Sequence, residues 1–129
     1  MDFQTYSSQA MRTCNQELNW EQLLVNAALG LMAEGGEVGD LVKKNQFHGH
    51  QLDIEKIKDE LSDCLWYVNL MCFVIGVDLE DVAKHNITKL SKRYPDKFSA
   101  EASKNREEFK ELSKNKGYEH ATIKTDIIV

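Results

Sequence analysis

Apolar residues along this chain recur at the three-to-four residue spacing of amphipathic helices. The pattern opens weakly, with Phe3, Tyr6, Ala10 and Met11 on one side of a short helix expected over residues 2–14. From Trp20 it strengthens: Leu24, Ala27, Ala28, Leu31, Val38 and Val42 predict a helix running to about Asn45. A third helix starts near Asp53, its stripe made of Ile54, Ile57, Leu61, Cys64, Leu65, Val68, Cys72 and Ile75. Over residues 64–75 it is apolar nearly all round, with Asn69 as the only polar residue, so it must be covered on every side. One small domain has few elements to do this, which predicts packing against a second subunit. Gly76 is a natural stop, and Asp78 with Asp81 makes an approximate capping box for a fourth helix carrying Leu79, Val82, Ala83, Ile87 and Leu90. Pro95 ends it. Ser99 is placed to cap a short polar helix over residues 100–113. The expectation is one all-α domain over 1–113, an antiparallel helical bundle of four to five helices, then a tail over 114–129 that is mobile or lies on a partner chain.

Polar residues interrupt this pattern at telling places. Glu34 occupies a core position of the second helix and Glu37 borders the same stripe; a buried carboxylate is costly unless paired or bound to metal. Glu60 and Asp63 repeat the same i, i+3 spacing on the third helix. Each pair projects from one side of its helix as a two-pronged clamp, and two clamps facing each other would make an all-oxygen site. Oxygen ligands without His or Cys select hard cations, Mg²⁺ first, with Mn²⁺ tolerated. Carboxylate-bridged iron is disfavoured, because the i+3 positions hold Glu37 and Asp63 where such bundles need His. The plainer alternative is that all four are ordinary solvated helix carboxylates. Gly30, Gly35, Gly36 and Gly39 lie on the same helix, each costing about 1 kcal/mol relative to Ala. Close approach by another backbone or a ligand would justify them, and a helix kinked near Gly35 and Gly36 is the alternative. Residues 46–52, with Phe47, His48, Gly49 and His50, read as a loop, and its histidines lack the partners of a zinc site. On the fourth helix Asn86, Lys89 and Arg93 gather on one edge, three side chains able to hold phosphate.

Composition narrows the partners. The chain has 129 residues, 42% hydrophobic and 29% charged, enough for one domain with a core. Its net charge of -5 offers no basic field for nucleic acid, and no basic amphipathic stretch suggests a membrane surface. The longest apolar run is too short to span a bilayer. Three cysteines, Cys14, Cys64 and Cys72, with no spacing that suggests a disulfide, are expected as reduced thiols in the cytoplasm. No basic n-region followed by an apolar core marks a signal peptide.

Three stretches carry a resemblance. Gly30-Leu31-Met32-Ala33-Glu34-Gly35-Gly36-Glu37-Val38, then Asp59-Glu60-Leu61-Ser62-Asp63-Cys64-Leu65-Trp66-Tyr67, then Asn86-Ile87-Thr88-Lys89-Leu90-Ser91-Lys92-Arg93-Tyr94-Pro95 are similar to the successive motifs of MazG-like nucleoside triphosphate pyrophosphohydrolases, of the all-α NTP pyrophosphatase superfamily. The resemblance covers about residues 20–99. It implies a helical bundle active as a homodimer or homotetramer, with Mg²⁺ held by Glu34, Glu37, Glu60 and Asp63. It also implies Asn86, Lys89 and Arg93 near the phosphates of a nucleoside triphosphate. Gly36 departs from many relatives and leaves the clamp intact. The rival expectations are a non-catalytic helical dimerisation module and a hydrolase of the same superfamily acting on another phosphorylated nucleotide, such as phosphoribosyl-ATP.

Overall fold

The computed structural model describes residues 1–104, and these form five helices and no strand: α1 (Phe3–Met11), α2 (Trp20–His48), α3 (Ile54–Ile75), α4 (Leu79–Arg93) and α5 (Ala100–Lys104). The all-α class expected from the pattern is what the chain adopts. Residues 1–86 make one compact unit, and a second begins at Ile87. The polar helix expected over 100–113 begins as anticipated, Ser99 Oγ accepting from the Ala102 N–H at 3.2 Å. Its later part, the 113/114 boundary and the tail lie outside the described residues. No single helix among those residues is long and apolar enough to cross a membrane.

α1, α2 and α3 each start where a short polar side chain takes up an orphan N–H. Asp2 Oδ1 accepts from Thr5 N at 2.7 Å, and Asp53 Oδ1 from Lys56 N at 3.1 Å. Asn19 and Gln22 exchange bonds at 2.9 and 3.0 Å in a full capping box. Glycine in the left-handed region ends α2 and α3, Gly49 at φ 70° and Gly76 at φ 71°. The α2 terminus corrects the sequence reading, since Gln46, Phe47 and His48 belong to the helix rather than to a loop. Neither Gly35 nor Gly36 breaks α2. Gly49 is the first residue past them that takes a positive φ, so the helix stops there.

α2 and α3 pair as an antiparallel hairpin. At its open end the Trp20 indole donates to the Val74 carbonyl at 2.8 Å. Next come Leu23 and Leu24 with Val74, then Ala27 with Leu70, both wholly buried. Beyond them Gly30 meets the Tyr67 ring, and nearer the connecting loop the glutamates of the two helices converge. α1 docks on α3 through the Trp66 indole, whose N–H is shared between Thr13 Oγ1 at 2.9 Å and the Ala10 carbonyl at 3.3 Å. Met11 and Cys14 complete the core.

The side of α3 that packs on α2, with Tyr67, Leu70, Met71 and Val74, is not the expected stripe. Ile54, Leu61, Leu65 and Ile75 from that stripe remain 41–63% exposed. A helix apolar on all sides presents two usable faces, and periodicity alone cannot choose between them. Among the described residues the buried side is the one facing α2, and of the expected stripe Cys72, 4% exposed, is buried as well.

Candidate active site

Three of the four expected carboxylates meet. Glu34 and Glu37, one turn apart on α2, and Glu60 on α3 each offer an oxygen, and these oxygens all lie within 4.8 Å of one another. Asn19, Asp53 and the apolar layers fix the helix phases that bring them to the shared seam. Glu34 and Glu60 are half-buried, Glu37 exposed. Crowding shows in the electrostatics. Desolvation first, then the charges of Glu37, Glu34 and Asp63, and a hydrogen bond to Glu34, push the Glu60 carboxyl above its usual value of 4.5. Asp63 stands outside the tight trio, one turn along α3 from Glu60. Its charge also reaches Tyr6 of α1, whose hydroxyl is raised above its ordinary value by burial and then by Asp63.

The trio suits a hard cation. It is all oxygen, and ligands about 2.1 Å from one Mg²⁺ stand about 3–4 Å apart, so oxygens within 4.8 Å of one another lie within about an ångström of a coordinated set. Neighbouring charge does not compete: Asp40, one turn past Glu37, is bonded to Lys43 and Lys44, which hold its carboxyl down at about 2. Among the described residues no His or Cys joins a metal-sized cluster, and His48 and His50 meet only edge to face, 6.5 Å between ring centroids. Asn86 is the last residue of the first unit; Lys89 and Arg93, one turn apart on α4, belong to the second.

The sequence pattern does not mark Tyr6, Trp66 or Tyr67 as neighbours of the carboxylates. Tyr6 gave no usable signal, being one aromatic in a weakly periodic segment. Gly30 did signal itself: the expected close approach is real there, with Tyr67 as the neighbour. Nothing lies within 4 Å of a Cβ built on Gly35, Gly36 or Gly39, so that explanation does not extend to them among the described residues.

The fold is thus an all-α scaffold whose hairpin brings carboxylates together from both of its helices. The model of the MazG nucleotide pyrophosphohydrolase domain matches residues 24–98, more than half of the chain, and the protein belongs to that family. No curated protein and no solved structure shows significant similarity to the chain. The match begins after α1, so Tyr6 and the docking partners of Trp66 precede the family domain.

Proposed function

We propose that the protein is a Mg²⁺-dependent pyrophosphohydrolase, Mn²⁺ also serving, that cleaves a ribo- or deoxyribonucleoside triphosphate between the α and β phosphates. Water attacks the α-phosphorus, the bond to the bridging oxygen breaks, and the products are the monophosphate and pyrophosphate. The observation that carries this reading is the convergence of Glu34, Glu37 and Glu60 from two helices within the family-matched region. The bound cation would supply charge neutralisation and a lowered pKa for water. The chain's own residues do the rest. Glu34, Glu37 and Glu60 would hold the cation, Asp63 is the fourth carboxylate proposed for the set, and one cluster carboxylate takes the proton of the attacking water. Lys89 and Arg93 neutralise charge on the departing pyrophosphate while Asn86 donates to a phosphate oxygen. Such an activity fits house-cleaning of the nucleotide pool, and the free thiols Cys14, Cys64 and Cys72 fit the reducing cytoplasm.

The working unit proposed is a homodimer or homotetramer. Val25, Leu29 and Met32 on the side of α2 away from α3 are 55–74% exposed, and Phe73 on α3 is 54% exposed. Phe73→Glu should split the assembly in sedimentation, whereas a wild type that sediments as an active monomer removes the argument. Trp66 is unsuited to that test, because its indole anchors α1.

Incubation with a panel of nucleoside triphosphates and phosphoribosyl-ATP in Mg²⁺, with chromatography of products, decides the function. Monophosphate with pyrophosphate from a nucleoside triphosphate is expected. Turnover of phosphoribosyl-ATP alone would reassign the substrate, and no turnover at all would leave a helical interaction module.

A further inference from the structure

Between the apolar layers of the hairpin and its carboxylates lies one layer made of Gly30 and Tyr67. A Cβ on Gly30 would sit 2.1, 2.3 and 2.4 Å from Cε1, Cζ and Cδ1 of the Tyr67 ring, so the ring rests directly on the α2 backbone. The ring is not free to swing aside. It packs on the buried cluster and meets the Trp66 ring edge-on, with centroids 5.0 Å apart at 88°, and Trp66 is itself tied to α1 by its shared N–H. Gly30 is one turn before Glu34 and Tyr67 two turns after Glu60. With a rise of 1.5 Å per residue, Gly30 is about 6 Å along the helix axis from the position where α2 presents Glu34. The separation of the helices at Gly30 therefore sets it at the carboxylates. Ligand oxygens tolerate only about 0.2 Å around their preferred metal distances, so a small change of spacing is felt there.

Resting on the reading of the trio as a divalent-cation site, we propose that the Gly30–Tyr67 contact is the spacer of that site. Gly30 is a positioning residue: it lets the Tyr67 ring set the α2–α3 distance at which Glu34, Glu37 and Glu60 converge. Conformational need does not explain this glycine, since its φ is not positive, and in a helix interior alanine is the better helix former. An added methyl thus strengthens α2 locally while forcing the helices apart.

The test is Mn²⁺ binding to the metal-free protein, read by electron paramagnetic resonance without nucleotide, together with helical circular dichroism. Gly30→Ala is expected to weaken Mn²⁺ binding at least tenfold with helix content retained. Tyr67→Leu alone leaves a gap in the layer and is expected to weaken it severalfold. Gly30→Ala with Tyr67→Leu nearly conserves the volume of the layer and should return within about threefold of wild type, the non-additivity expected of two residues packed in one layer. A generally weakened fold would give additive losses instead. Wild-type affinity in both single variants, or a double variant as weak as the worse single one, overturns the spacer. Should Gly30→Ala not fold, Tyr67→Leu and the double variant decide: wild-type binding by Tyr67→Leu, or no recovery in the double, overturns it. A wild-type protein that binds no Mn²⁺ at all overturns the cation site, and the spacer with it.

Discussion

The two ends of the α2–α3 hairpin use the same register for opposite chemistry. Toward Trp20 and Val74 the layers are apolar, Ala27 and Leu70 wholly buried, and burial of such side chains contributes about 1.5–3 kcal/mol each for residues of leucine size. Toward the loop the seam is filled by carboxylates, where desolvation first and mutual repulsion second raise the Glu60 pKa. One end supplies stability and fixes the helix phases. The other spends part of it to hold three acids in a geometry they would not choose alone, which is the arrangement expected where a cation is to bind.

Replacing a member of each end should therefore have opposite consequences. Glu37→Gln or Glu60→Gln removes ligand charge without volume, and turnover should fall by about 10³-fold or more, with the metal-free fold unchanged or slightly more stable. Near wild-type rates at saturating Mg²⁺ would remove that residue from the ligand set. Leu70→Ala, by contrast, opens a cavity at a fully buried position and should cost about 2–5 kcal/mol in urea unfolding. If Leu70→Ala lowered kcat at temperatures where it is folded as much as Glu60→Gln does, the division of labour between the ends would be wrong.

The acidic end was the more legible from sequence. Repeated i, i+3 carboxylates are a discrete signal, and Glu34 breaking an apolar stripe marked the seam. The apolar end is ambiguous on α3, because a helix with leucine, tryptophan, tyrosine and phenylalanine on every side offers no unique stripe. Only the partner surface on α2 selects Leu70 and Val74 over Leu61 and Leu65. The sequence pattern ends α2 three residues short of His48 for a related reason: polar Gln46 and His48 look like a loop, and the left-handed turn that stops the helix is taken at Gly49. The role of α1 was invisible, since it depends on two hydrogen bonds from Trp66 across more than 50 residues of sequence.

The positive residues of α4 sharpen the comparison from outside the hairpin. Lys89→Met keeps the aliphatic stem and deletes the charge. If Lys89 grips phosphate, kcat/KM should fall by about 10²-fold, since a charge-assisted hydrogen bond contributes about 1.5–3 kcal/mol and more where charge develops in the transition state. Direct Mn²⁺ titration should stay close to wild type. Unchanged kcat/KM would make Lys89 a solvated surface charge, and lost Mn²⁺ affinity would make it an organiser of the carboxylates.

The smallest expected effect is a dependence of stability on pH, and it reports on the acidic end alone. A carboxyl that holds its proton more tightly folded than unfolded stabilises the fold where it is protonated. For Glu60 that contribution is fully present below the ordinary value of 4.5 and is lost as pH rises through the raised folded value. Asp2 and Asp40 are shifted the other way, by the Thr5 N–H and by Lys43 and Lys44 respectively, and their contributions grow as pH rises. A single stability curve would mix these signs. The difference between wild type and Glu60→Gln does not, because Asp2 and Asp40 are common to both. In chelator, the melting temperature of the wild type should fall relative to Glu60→Gln as pH rises above the ordinary value of 4.5. Added Mg²⁺ at pH 7 should reverse the order, stabilising the wild type through binding to the folded state while leaving Glu60→Gln nearly unmoved. Parallel melting curves across that range would show that the three carboxylates are not crowded. A relative gain for the wild type with rising pH in chelator would mean that positive charge already reaches Glu60 from elsewhere in the chain.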